Sequence, residues 1–552
     1  MNKILFIIPP HITFDDFINP FFNARTVQKK YGNFGSVSTE MPLGVLSLSA
    51  YVKKNAKAET KLVDFNIILN KLASFEFSSF ADFFLNFFSG PNFAGYTPDI
   101  IAISALFTPA YQSMLDIAQY CRSAFPNAVI IAGGGIPTNM PDEIFKNSEC
   151  FDALCYGEGE KPLLELVKAD DKIKYLEDNP SWITRKKIKN GQSFKYDFIE
   201  NLDEIPFYDY DLCEIKEYAV NPGITSFAHI NESIKEEEKK QNFHIITSRG
   251  CPFRCCFCAS HSVHGRKMRY HSLDRVREDL KRLRDQYGAK IIFFQDDQFL
   301  LDRKRALLII DMLKELKMAA VFQGLALFAL DKEMLCALKS AGINSLILPV
   351  ESGSERVLKE IMHKPLNLSI VKRVVDDCRE LGIYTDANVL IGLPGETKKD
   401  IEDARLFLKT IGANWFHIHC AGPLAGSEMY EICKEKNYLA GGYVGADFRR
   451  AVVQTEDFTS DYIQKKAYML NLELNFVENN DFRLGNYKTA LLGFEHALSS
   501  KNDHAIAYYY AAKCYEKLGN SEKAQEYMNK AKTITVEQPF WRNYADMFNV
   551  PI

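Results

Sequence analysis

The sequence has no apolar run long enough to cross a membrane or to form a signal-peptide core. Its opening run, Ile4 to Ile8, is five residues long and stops at Pro9-Pro10. The aromatic stretch Phe75 to Phe88 is broken by Glu76, Ser78, Ser79 and Asp82, which predicts a buried or interface helix instead of a membrane span. Nor is there an excess of basic residues. The 67 Lys and Arg against 71 Asp and Glu leave a net charge of −4, with no electrostatic footprint for nucleic acid or an anionic membrane. The 13 cysteines come without a secretory pattern, so a reducing, cytoplasmic setting is expected and a disulfide framework is not.

What is present is alternation. With 552 residues, 47% of them hydrophobic, the chain is long enough for about three domains. Residues 1–168 read as apolar strands separated by helices: KILFIIPP, TKLVDF, DIIAISA, AVIIAGGG and FDALCYGEGE, with helical spacing in GVLSLSAYVK. That pattern predicts a doubly wound, Rossmann-like α/β domain with a parallel sheet covered on both faces. Ligands bind such sheets at the carboxyl ends of the strands. Residues 169–240 read as a linker ending in the charged run IKEEEKK. A second alternating series fills 241–445, with strands in FHIITSRG, KIIFFQDD, AAVFQGLALF, SLILPVESG, DANVLIGLPG and NWFHIHCAG. Six strands, with helices between them, predict a partial (β/α)6 barrel of the TIM type, since a closed eight-stranded barrel typically takes about 250 residues.

Residues 446–552 show no strand pattern toward the carboxyl end. Leu484-Gly485-Asn486 recurs thirty-four residues on as Leu518-Gly519-Asn520, and Ala490/Ala524, Phe494/Met528 and Ala497/Ala531 keep that offset. Thirty-four is the tetratricopeptide (TPR) period, so the tail resembles a TPR-type helical domain that could take a protein partner. A plain helical cap is the alternative.

Four cysteines fall within eight residues, in SRGCPFRCCFCASH. Cys251, Cys255 and Cys258 sit on a loop directly after a strand, where three thiolates can ligate three irons of a cubane. A Cys3His zinc site using His261 or His264 is the competing reading. Cys256 lies outside the ligand spacing and reads as a small buried residue.

This spacing, its place after a strand and the strands that follow resemble the radical S-adenosylmethionine (SAM) superfamily. The resemblance implies a 4Fe–4S cluster whose fourth iron binds SAM, and one-electron cleavage to a 5′-deoxyadenosyl radical, with a reductant such as flavodoxin or ferredoxin. It also implies a SAM site. Phe257 would pack near the adenine. Asp296 and Asp297, in FFQDDQF, would meet the amino group, and Glu351 and Ser352 the ribose or carboxylate. Asn388, Ile391 and Gly392, with the run to Thr397, would border the adenine. The Pro423 to Ser427 segment departs from the family pattern at Leu424, Ala425 and Ser427.

The first domain resembles the cobalamin-binding domain that precedes the barrel in one subgroup of that superfamily. Pro9, Pro10, Ser104, Gly133, Gly134, Gly135, Pro137, Thr138 and Glu158 carry the match, and they are the residues it implies for cobalamin. Glycines at strand ends let backbone approach a bulky ligand. There is no Asp-x-His-x-x-Gly to supply a histidine to cobalt. The resemblance implies methyl transfer to an unactivated carbon, or radical cyclisation and oxidative rearrangement on the same architecture. A non-catalytic iron–sulfur scaffold is the alternative of another class. No residue set names the small-molecule or biosynthetic-intermediate substrate, and His261, His264, His417 and His419 are general-base candidates by residue type only.

Overall fold

The computed structural model describes residues 1–20, 24, 26–37, 39–93, 95–218, 242–440 and 450–552. The described residues fold as two units: 1–218 with 242–298 and 422–440, and 299–421 with 450–552. The charged run 234–240 lies outside the described residues.

The first unit is built on β1 (Asn2–Ile8), the hairpin β2 (Thr26–Lys29) and β3 (Gly32–Gly35), β4 (Ala58–Asp64), β5 (Ile100–Ser104), β6 (Val129–Gly133), β7 (Ala153–Cys155) and β8 (Trp182–Ile183). Six of these form a sheet in the order β4-β1-β5-β6-β7-β8. The pairings are parallel except the last. The apolar runs of β1 and β5 follow from burial on both faces. Leu5 and Ile7 enter one core with Phe65, Phe84 and Ile130, while Ile4, Phe6 and Ile8 enter the other with Val45 and Leu166. That is the two-residue period of a strand.

The aromatic stretch forms the helix Phe80–Ser89, capped by Ser79, which accepts the Asp82 N–H at 3.0 Å. Phe80, Phe83, Phe84 and Phe88 are buried on its inner face, with Phe84 and Phe65 rings 4.7 Å apart. The segment expected to begin a linker carries structure instead. Helix Lys172–Asp178 leads into β8, which adds an antiparallel strand to the sheet, with Trp182 and Ile183 each 1% exposed. Lys187 is buried beside them, its ammonium donating to the carbonyls of Leu176, Asn179 and Trp182. A two-residue strand has no period to detect, and a lysine that caps carbonyls looks like solvated sequence.

The same unit continues with β9 (Asn242–Ile245), β10 (Ser248–Arg249), β11 (Arg269–Tyr270) and β12 (Ile291–Phe294). Strand β9 runs parallel to β12, and β10 pairs antiparallel with β11. Helix Leu273–Tyr287 starts on the Ser272 cap and ends at Gly288, whose φ of 69° is the left-handed stop that glycine favours.

The second unit holds β13 (Ala319–Phe322), β14 (Ser345–Glu351), β15 (Tyr384–Ile391) and β16 (Trp415–Cys420). Strands β14, β15 and β16 form a parallel sheet in that order. Helices Lys332–Ser340, Leu368–Glu380 and Lys398–Leu408 fall between the strands, as the alternation predicts. From Ser460 onward the described residues form helices and no strand. The free edge of β16 is closed by a side chain: Asn475 donates to the Phe416 carbonyl at 2.7 Å and accepts its N–H at 2.8 Å. No helix among the described residues is long and apolar enough to cross a membrane.

Candidate functional site

The cysteine loop leaves β10 and returns through β11, so a two-residue ladder fixes both of its ends. Gly250 opens it at φ 95°, where a Cβ would lie 2.4 Å from the Lys267 carbonyl oxygen, so no other residue fits. Asp296, just past β12, is 2% exposed and pins the entry. It accepts the Thr247 N–H at 3.1 Å, the Thr247 hydroxyl at 2.8 Å and the Ser248 hydroxyl at 2.5 Å. Its neighbour Asp297 accepts the Ser260 hydroxyl at 2.6 Å, two residues beyond Cys258. Asp296 therefore holds the loop's origin, and Asp297 holds its far side.

All thirteen cysteines are among the described residues, and none is in a disulfide. Cys251, Cys255 and Cys258 are partly exposed, whereas Cys256 is 4% exposed. Burial pushes the Cys251 thiol up to about 11, and charge on Asp297, Cys258 and Cys255 adds to it. Cys251 is thus near enough to the other two to feel their charge. Among the described residues no three Cys, His, Asp or Glu side chains already form a metal cage. The donor set still fits a cluster, because three partly exposed cysteines at three- and two-residue intervals lie on one loop, and their thiols lose protons on binding iron. Burial pushes Cys256 up to about 12, and its carbonyl accepts the Met429 N–H at 2.9 Å, away from the ligand role. Phe257 is partly buried beside it.

At the carboxyl end of the sheet, Pro9 and Pro10 are buried, and Ser104, Gly133, Gly134 and Gly135 are partly exposed. Gly134 sits at φ 106°, with a Cβ position 2.6 Å from the Ala105 carbonyl oxygen. This crowding against the chain's own backbone demands glycine. Pro137 and Thr138 are buried in the following turn, and the Thr138 hydroxyl accepts the Gly157 N–H at 3.2 Å. These features suit the expected corrin nucleotide.

Glu158 turns elsewhere. Its carboxylate accepts from Arg269 at 2.6 and 2.9 Å, lies 3.1 Å from Arg249 and is 2.8 Å from His264 Nδ1. Burial works to raise this carboxyl, but Arg249, His264 and Arg269 outweigh it and hold it well below the usual carboxylate range. Glu160 accepts from the other Arg249 nitrogen at 2.7 Å and from the Ser47 hydroxyl at 2.6 Å. The side chains of Glu158, Glu160, Arg249 and Arg269 are each at most 5% exposed. Arg249 and Arg269 have no distinguishing pattern in the sequence.

The remaining expected SAM residues lie in the second unit. Glu351 follows a bulge in β14 at φ 65° and pairs with Lys364 at 3.2 Å. Ser352 is buried and accepts the Ser354 N–H at 3.1 Å. Asn388 is partly buried on β15 opposite His417. Ile391 is buried, and Gly392, at φ 90°, has a Cβ position 2.8 Å from Ile463. The Gly392 and Leu393 N–H groups donate to Glu396 at 2.6 and 3.1 Å. Burial pushes the Glu396 carboxyl up to about 8, against the pull of those two N–H groups.

His417 and His419 face one side of β16, as alternation requires, with nearly parallel rings 6.2 Å apart. His417 Nε2 is 3.6 Å from Asp386. Asp386 is 1% exposed, and neither carboxylate oxygen has a hydrogen-bond partner among the described residues. A lone carboxylate inside the apolar strand TDANVLI was the signal for it.

Comparison with known proteins agrees with this layout. Residues 245–408 match the radical SAM superfamily, and residues 92–167 match the B12 binding domain. An uncharacterized methyltransferase of Pyrococcus horikoshii is 27% identical over 477 residues, 85% of this chain and 92% of the relative. The anaerobic magnesium-protoporphyrin IX monomethyl ester cyclase of Cereibacter sphaeroides is 25% identical over 55% of this chain and 48% of its own length. Among solved structures, the radical SAM methyltransferase TsrM of Kitasatospora setae, with cobalamin and a 4Fe–4S cluster bound, superposes with a TM-score of 0.56. That match has 16% identity and covers 97% of this chain and all of that one. The chain therefore joins a B12-binding domain to a radical SAM domain.

Proposed function

We propose that the protein is a radical SAM enzyme that transfers a methyl group to an unactivated centre of a small-molecule or biosynthetic-intermediate substrate, with a 4Fe–4S cluster, SAM and cobalamin as cofactors. The observation that carries this reading is the B12-binding sheet and the three-cysteine loop in one chain, with the loop ends held by ion pairs to that sheet. When bound, the cluster supplies the electron that cleaves SAM and cobalamin carries the methyl group.

The chain's own residues bind and orient. Cys251, Cys255 and Cys258 hold iron. Asp296 fixes the strand end from which the loop departs, and Asp297 its far side. Phe257 in the first unit and Glu351, Ser352, Asn388, Ile391 and Gly392 in the second are the residues proposed to bind SAM. Pro9, Pro10, Ser104, the three glycines, Pro137 and Thr138 form the cobalamin site, with Glu158 acting through the arginines it holds. The same proposal divides the chain into a cobalamin domain (1–168, its sheet completed by β8 at Trp182–Ile183), a connecting segment from there to 240, a six-stranded partial barrel (241–445) and a TPR-like helical tail (446–552) available to a protein partner. It places the enzyme in the cytoplasm with a flavodoxin- or ferredoxin-type reductant.

The cyclase relative favours a second reading, cyclisation on the same architecture. Incubating the reduced, reconstituted enzyme with SAM and candidate substrates separates them. A product heavier by one methylene supports methyl transfer; a cyclised or dehydrogenated product with no added carbon overturns it. Failure to release 5′-deoxyadenosine from protein with an intact cluster would instead support a scaffold.

A further inference from the structure

We propose that the turns at the carboxyl end of the sheet and the cysteine loop form one linked element, through which cobalamin and the iron–sulfur cluster raise the chain's affinity for each other. This rests on the reading that the sheet takes cobalamin.

Two turns of the sheet are tied to the loop. The first is Gly157 to Glu160, after β7. Glu158 grips Arg249 in β10 and Arg269 in β11, so a single carboxylate spans the two ends of the loop. Glu160 holds the second nitrogen of Arg249. The second turn is the triple-glycine segment. Its helix, Gly135–Asn139, ends on Asn139, whose amide donates to the Ser262 hydroxyl at 2.8 Å, four residues beyond Cys258. Tyr196 closes the gap between them. Its hydroxyl donates to the Ser262 carbonyl at 2.9 Å, and its ring lies 2.5 Å from where a Cβ on Gly157 would stand.

These bonds make independent movement costly. Separating Glu158 from its arginines would leave buried charges unpaired, which is strongly destabilising. The loop therefore cannot rearrange while the turns stay fixed, and the turns cannot open while the loop stays fixed. Any adjustment that one cofactor imposes on this element is carried to the side that the other needs, so the second meets a smaller cost of adjustment. Linkage makes the effect reciprocal and equal for the two.

Equilibrium dialysis of hydroxocobalamin against the full-length chain, with bound cobalt measured directly, tests this without any turnover. The chain is compared after anaerobic cluster reconstitution and after removal of the iron by a chelator. The expected result is about tenfold tighter binding to the cluster-loaded chain. Ser262→Ala should reduce that ratio, and Glu158→Gln should bring it close to one. Circular dichroism checks that each variant is folded; if Glu158→Gln is not, Ser262→Ala decides. Equal affinity with and without the cluster, or the full ratio retained in a folded variant, overturns the coupling. Absence of cobalamin binding in both forms overturns the underlying cobalamin reading instead.

Discussion

At the scale of single residues, Glu396 carries the sharpest pH signature. Its buried carboxyl titrates near 8 in the folded chain, against an ordinary 4.5. Between those values the folded state keeps a proton that the unfolded state has lost. The associated stability is full below about 4.5 and disappears as pH rises through about 8, by at most about 1.4 kcal/mol per pH unit. Glu396→Gln, which mimics the protonated form, should flatten that decline. Denaturant unfolding of the two proteins from pH 5 to 8 measures it, and parallel curves would contradict the assignment. The cysteines give a second contrast. Alanine at Cys251, Cys255 or Cys258 should strip most of the iron after reconstitution, whereas Cys256→Ala should keep it, because Cys256 is packed in the interior. Iron retained by Cys251→Ala would remove it from the ligand set.

The sequence exposes chemistry at this scale more readily than partnership. Asp296 and Glu158 stand out as carboxylates beside motif residues, yet both serve to hold the loop. Glu158 meets its arginine across 111 positions of chain, and Asp296 meets Thr247 across 49. No local spacing encodes such pairs.

Secondary-structure elements were easier to foresee where a period could develop. Strands β1, β5, β6, β14, β15 and β16 and the helices between them follow from two-residue or helical apolar spacing. The aromatic helix follows likewise, and its core-facing rings are the source of its stability. Phe84→Ala should cost about 3–5 kcal/mol, measured by denaturant unfolding; a loss under 1 kcal/mol would mean that the ring is not packed as described. The hairpin of β2 and β3 escaped because TVQK and GNFG carry no apolar run, and the edge strand β8 because two residues leave no pattern. The edge of β16 escaped for another reason, since its partner is the amide of Asn475 and not a strand. Asn475→Ala leaves the Phe416 N–H and C=O unpaired in a buried setting, at a cost of about 1–3 kcal/mol or more. Thermal unfolding of this variant beside the parent chain checks it, and an unchanged midpoint would contradict the edge-capping role.

At the scale of the whole molecule, the first unit contains both the strands β5, β6 and β7 that match the B12 binding domain and the cysteine loop. The second contains the parallel strands β14, β15 and β16 and the carboxyl-terminal helices. The linear sequence hides that division, because three separate segments of chain build the first unit. Residues 422–440 return to it after the last strand of the second, and Lys434 there pairs with Glu143 at 2.9 Å. The alternating pattern shows where strands are, but not which chain segments return to which core.

The most direct test of the central claim is metal analysis of the chain purified without oxygen from cells supplied with cobalamin. The account predicts about four irons and one cobalt per chain. Iron at that level with no cobalt would contradict it, leaving a radical SAM enzyme without the methyl carrier on which the proposed reaction depends.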